Sequence, residues 1–153
     1  MEEKYTKFVD SLDNIIGAVY NILSGNQGKP IDWDLFKHLF HKDAKLIPSG
    51  KRENGEISCR YLSPEEYISS SRDFLEKNSF FEKEVHRITE TFGTLTHVFS
   101  TYESRKHQDD DIPFTRGINS IQLLFDSRRW WIINIYWTNE SDINVLTERY
   151  TSS

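Results

Sequence analysis

The sequence predicts an α+β fold on two main observations. Apolar residues recur at helical steps through the first half of the chain, and strict alternation takes over from Phe80 to Asn139. Short polar or glycine-containing turns separate the alternating runs, so consecutive strands pair antiparallel. The expected architecture is three helices packed on a curved, mainly antiparallel sheet. At 153 residues the chain is one domain over 1–153, with a core at about 8–140 and a C-terminal tail at 141–153.

Phe8, Val9, Leu12, Ile15, Ile16, Val19, Tyr20 and Leu23 fall on one helical stripe, which the segment Ser24–Pro30 ends. Asp32 caps a second, shorter helix whose inner side carries Trp33, Phe36, Leu39 and Phe40. Ala44–Pro48 and Ile57–Leu62 read as a short strand pair around a polar turn. In Ser63-Pro64-Glu65-Glu66 the serine caps free amides, proline suits the first turn and Glu66 reaches back, which starts a third helix over about 64–77. Four long strands follow at about 81–92, 95–107, 114–126 and 129–139. Strands of that length twist and curl, which gives the helices a concave surface.

Composition narrows the function. A net charge of −5 without a Lys/Arg block excludes general nucleic-acid binding, which requires a basic face. A mean hydropathy of −0.63 and the lack of a long apolar run exclude a membrane span. The single Cys59 and an N-terminus, Met1-Glu2-Glu3-Lys4, without the basic-then-apolar order of a leader predict a reduced, cytoplasmic protein. Gly25 and Gly28 lack the following Lys-Ser or Lys-Thr of a phosphate loop, and Asp109–Asp111 lacks the spacing of a calcium loop. Asn139-Glu140-Ser141 matches a glycosylation triplet without a preceding secretory signal and carries no weight.

The order of elements, and the strand text Phe80–Val85, Phe92-Gly93, His97–Ser104, Arg116–Gln122 and Arg129–Trp137, resemble the nuclear-transport-factor-2-like superfamily, in particular a bacterial SnoaL-like subgroup. The resemblance covers about residues 8–140. It implies a cone-shaped, cystatin-like fold shared with SnoaL-like polyketide cyclases, ketosteroid isomerases and scytalone dehydratases. It also implies a homodimer and a ligand pocket between helices and sheet. Catalytic members keep an Asp inside the cone, often with a His or Tyr. The matching strands here carry none, since Asp126 falls at a turn. Fold alone does not fix activity.

Among the strand residues, Ser100, Tyr102, Arg116, Ser120 and Gln122 are polar groups that would be costly to bury without partners. They are expected to converge on the pocket, with Trp33 and Trp137 as aromatic walls. Arg116 would hold an anionic or carbonyl group, Tyr102 would donate a hydrogen bond, and a His or Glu would move the proton. Alternatively Arg116 pairs with Glu84, Glu90 or Glu103. His86 and His97, with Glu103 or another of these carboxylates, could form an acid–base dyad, or else serve an edge or dimer face. His38 and His41, three apart on the second helix and followed by Asp43, present two nitrogens without a third ligand, so no metal is expected. Cys59 is either a nucleophile activated by Arg60 or plain core. Trp130 and Trp131 must point to opposite faces of their strand.

Two functions from different classes follow. One is a protein that binds a small, partly apolar molecule, with lyase, isomerase or cyclase chemistry and no cofactor. The other is a non-catalytic homodimeric module whose pocket is plugged by Trp33, Phe40, Phe74 and Trp137.

Overall fold

The computed structural model describes residues 3–151; Met1 and Glu2 of the stretch read for a leader, and Ser152 and Ser153 of the tail, lie outside it. Four α-helices pack on one six-stranded sheet. In chain order they are α1 (Thr6–Val9), α2 (Leu12–Leu23), α3 (Trp33–Leu39), β1 (Phe40–Lys51), β2 (Ile57–Cys59), α4 (Pro64–Lys77), β3 (Phe81–Phe92), β4 (Leu95–Arg105), β5 (Thr115–Phe125) and β6 (Trp130–Asn139). The sheet order is β2-β1-β6-β5-β4-β3, and every neighbouring pair is antiparallel except β1 with β6.

The single helix expected over Phe8–Leu23 is divided. Ser11 is extended and its hydroxyl accepts from Asn14 N–H at 3.1 Å, so it caps α2 and ends the one-turn α1. Asp32 caps α3 as expected, accepting from Leu35 N–H at 3.0 Å. That helix ends at Leu39, so Phe40 and His41 open β1, and His38 and His41 do not share a helix. No His/Cys/Asp/Glu cluster among the described residues could hold a metal. Ser63 and Glu66 form the full capping box at the start of α4, each side chain bonded to the other's backbone N–H.

The four long strands match their expected positions to within two residues. Two residues, Gly93 and Thr94, join β3 to β4, and Gly93 takes the positive φ of +60° that such a turn requires. The ladder then slips by one residue between Glu84 and His86. This bulge reverses the alternation of β3, so Glu82 and Glu84 face the helices together with Arg87, Thr89 and Thr91.

The core lies between helices and sheet. Ile15, Ile16, Phe36, Leu39, Val98, Ile121, Leu123 and Ile132 are fully enclosed there. Trp130 packs against that core beside Phe125, whereas Trp131 lies on the other face and donates to Asp126. Cys59 is exposed, which removes the core reading of that residue. It sits in the short edge strand β2. The tail folds back over the outer face, with the Tyr150 ring 5.4 Å from that of Phe99.

Gly117 of β5 is required for space. A Cβ there would collide with Thr138 O, Tyr102 Oη and the Asn139 backbone. Gly117→Ala is therefore expected to cost roughly 1–3 kcal/mol in urea unfolding, the usual range for overpacking. An unchanged midpoint would show that the tyrosine need not lie across this position.

Candidate functional site

Helices and curled sheet enclose a hollow of about 430 Å³. Phe36, Tyr67, Phe74, Phe80, Phe114 and Trp137 give it an aromatic wall, to which Val19, Leu23, Leu46, Leu75 and Ile135 add apolar surface. Tyr67 stacks on Phe36 with centroids 5.5 Å apart and meets Trp137 edge-on at 6.1 Å. Phe80 stands edge-on between Phe74 and Phe114, which are 55% and 48% exposed, so these three form the open rim. The plug expected from Trp33, Phe40, Phe74 and Trp137 does not form. Trp33 packs behind Phe36 and donates to Glu76 Oε2 at 3.0 Å, and Phe40 belongs to β1.

Polar groups enter the hollow from inward-facing strand positions. Glu82 and Ser104 are cross-strand partners, and Ser104 Oγ donates to Glu82 Oε2 at 2.8 Å. The carboxylate is wrapped by protein and lacks a lining Lys, Arg or His among the described residues, so burial raises its pKa to about 7 against the small opposing effect of Ser104. Tyr102, 3% exposed, lies over Gly117 and donates to Asn139 Oδ1. Burial, then the Glu82 charge, push its phenol above the ordinary range. Tyr67 is raised by the same two causes in the same order, and Tyr20 is raised mainly by burial.

Beside the hollow runs a polar chain. Arg87 holds Glu84 through Nε and Nη2 and reaches Asp13 of α2 at 2.6 Å. Ser100 Oγ donates to Glu84 at 2.6 Å, so the Tyr20 hydroxyl donates to Ser100 at 2.7 Å and accepts from Asn119 Nδ2 at 2.8 Å. These bonds satisfy Ser100 internally. It is fully buried and supports the wall from behind.

Of the residues expected in the pocket, the structure brings Tyr102 and Trp137 to the hollow and sets Ser100 just beneath it. Arg116, Ser120 and Gln122 are on the opposite face. Directly paired residues share a face, and these three pair with Glu103, Phe99 and His97. Arg116 bonds Glu140 through Nε at 2.7 Å and Nη2 at 3.1 Å, so the ion-pair alternative holds with a carboxylate other than the three expected. His97 Nε2 meets Ser120 Oγ at 2.8 Å, and Glu103 pairs with Arg105 at 2.9 Å. His86 lies opposite Thr101 on the same outer face. The histidine–carboxylate dyad is not formed.

No protein-family model matches the chain, and no curated protein matches it. Solved structures do. A cystatin-like protein of unknown function from Nostoc punctiforme superposes with a TM-score of 0.63 at 11% identity, covering 86% of this chain and 90% of that one. This chain has the nuclear-transport-factor-2-like, cystatin-like fold. The β subunit of a candidate aromatic-ring-hydroxylating dioxygenase from Novosphingobium aromaticivorans gives 0.64 at 10% identity over 86% and 88% of the two chains. A candidate ketosteroid isomerase from Parabacteroides distasonis gives 0.55 at 9% identity over 88% and 92%. At such identities these matches carry the fold and no residue roles.

The raised Glu82 has a measurable consequence. Its folded pKa of about 7 lies above the unfolded value near 4.3. The folded protein thus holds a proton that the unfolded chain releases, and stability is lost as pH rises from about 4.3 through 7. Glu82→Gln, which does not titrate, is expected to be roughly 2–3 kcal/mol more stable than the parent at pH 8, with the difference closing by pH 5, in parallel urea melts. Superimposable pH profiles would contradict a protonated, buried Glu82.

Proposed function

We propose that the protein binds a small, partly apolar molecule in the cone hollow, and that Glu82 is the group that accepts and returns a proton there. The observation that carries this reading is a lone carboxylate set in an aromatic-walled hollow of about 430 Å³ that opens at one side. A cavity of that size with few convergent polar groups is the usual form of a small-molecule site. A carboxyl group poised near neutrality is suited to general acid–base work of the lyase, isomerase or cyclase kind. In this reading Glu82 does the work that the resemblance assigns to an Asp inside the cone. Tyr102 is a positioning residue in this scheme, because its hydroxyl proton is already given to Asn139.

The same reading keeps a single SnoaL-like domain acting as a cytoplasmic homodimer. Among the described residues no helix is long and apolar enough to cross a membrane. In support of a dimer through the outer face, β4 and β6 present Leu95 and Tyr136, 55% and 51% exposed, on that side. The alternative of a non-catalytic module with a self-filled pocket is disfavoured by the open hollow.

A thermal-shift series with small aromatic ketones, alcohols and amines tests the site, since a ligand that binds only the folded state raises Tm with occupancy. Probes that stabilise the parent are expected to lose most of that shift in Trp137→Ala, which removes one wall, and to keep it in Arg116→Ala, whose side chain is bonded to Glu140 away from the hollow. A shift abolished by Arg116→Ala and untouched by Trp137→Ala would place the site elsewhere.

A further inference from the structure

We propose that the molecule this hollow takes is an apolar amine, bound as its cation with the ammonium group beside Glu82. The inference rests on the reading that the hollow is a small-molecule site, and it names the charge and donor character of the ligand.

Two features of the wall carry it. The first is its balance of donors and acceptors. Three of the hydroxyl protons at the wall are spent within the protein: Tyr102 donates to Asn139, Tyr20 to Ser100, and Ser104 to Glu82 itself. Ser100, which would otherwise return a proton to Tyr20, gives its own to Glu84. Above neutral pH the ionised Glu82 carboxylate is an acceptor at this wall, and a ligand that brings its own N–H or positive charge complements it.

The second feature is charge and aromatic surroundings. The described residues lining the hollow include no Lys, Arg or His. The nearby cations are engaged: Arg87 is bound to Glu84 and Asp13, and Lys106 lies over the Phe114 ring at the rim, 5.8 Å from its centroid. A carboxylate without a counter-cation in a low-dielectric wall attracts a cation strongly. Aromatic rings add to the attraction, because the negative potential over a ring face favours ammonium groups. Tyr67, Trp137 and Phe36 stand together on one side, and Phe74, Phe80 and Phe114 complete the surround. An anionic ligand meets repulsion from the same groups.

Binding a cation favours the ionised form of Glu82, so amine affinity rises with pH through the range in which the free protein loses that proton. The other titratable groups facing Glu82 are Tyr20 from α2, Tyr67 from α4 and Tyr102 from β4, all raised and therefore neutral there; Glu84 on β3 is held by Arg87. From β5 and β6 the hollow receives the uncharged Asn119 and Asn139.

Calorimetric titration with 2-phenylethylamine, 2-phenylethanol and 3-phenylpropanoate compares a cation, a neutral molecule and an anion of similar size. At pH 8 the amine is expected to bind about tenfold more tightly than the alcohol, and the acid more weakly than both. Amine affinity should fall about tenfold between pH 8 and pH 6, while that of the alcohol stays level. Glu82→Gln should reduce the amine to the level of the alcohol. Trp137→Leu, which keeps the carboxylate, should narrow the preference about threefold. Binding of the alcohol as tight as that of the amine, or an amine preference that survives Glu82→Gln, overturns the inference and leaves the small-molecule site standing. Failure of all three probes to bind removes both.

Discussion

Glu82 and Ser104 face one another across the β3–β4 ladder, and the 2.8 Å hydrogen bond between them fixes a carboxylate at the wall of an otherwise aromatic hollow. Removing a carboxylate from water is costly unless a cation or several donors replace the solvent. Here one serine hydroxyl does so, and the imbalance is expressed as a pKa near neutrality. The neighbouring Glu84 shows the other solution. Two residues along the same strand, it is held by Arg87 and accepts from Ser100, within a chain of bonds that ties α2 to the sheet. One carboxylate is spent on architecture, and the other has a single serine as its side-chain partner.

That separation depends on the curl of the sheet and on the helices that close it. Tyr102 can lie across the floor only because Gly117 opposite it has no side chain, and Asn139 Oδ1 then accepts its hydrogen bond. Tyr20 reaches down from α2 to Ser100 and Asn119, fastening the helix over the buried end of the hollow. At the other end the exposed rings of Phe74 and Phe114 leave a hydrophobic mouth. Hydrogen-bonded groups thus support the wall from behind while aromatic carbon faces the lumen.

Much of this architecture was legible in the residues. Alternation located the four long strands, and Ser63, Glu66 and Asp32 announced their helices through capping chemistry that acts locally. The division of the first helix at Ser11 was missed because the apolar stripe runs unbroken across it. The site was less legible for a geometric reason. Ser100 with Tyr102, and Arg116 with Ser120 and Gln122, looked alike as polar strand residues, but the register of β4 against β5 sets the two groups on opposite faces. Glu82 escaped notice because uninterrupted alternation from the Gly93 turn places it outside, with Lys83 inside. The bulge at Val85 reverses that assignment, and a bulge leaves no periodic trace in a single sequence. The usable hint was the pair of glutamates at 82 and 84 in Phe-Glu-Lys-Glu-Val, two like charges on whichever face the strand presented.

Burial keeps Glu82 protonated at mildly acidic pH inside the folded cone. Carbon-13 NMR of the glutamate side-chain carboxyls, assigned by comparison with Glu82→Gln, reads this directly as a chemical-shift titration. One resonance should titrate near pH 7, well apart from the other glutamates, and vanish in the variant. A Glu82 resonance that titrates near the ordinary value of about 4.3 would mean that the carboxylate is solvated, and the hollow would lose its chemical character.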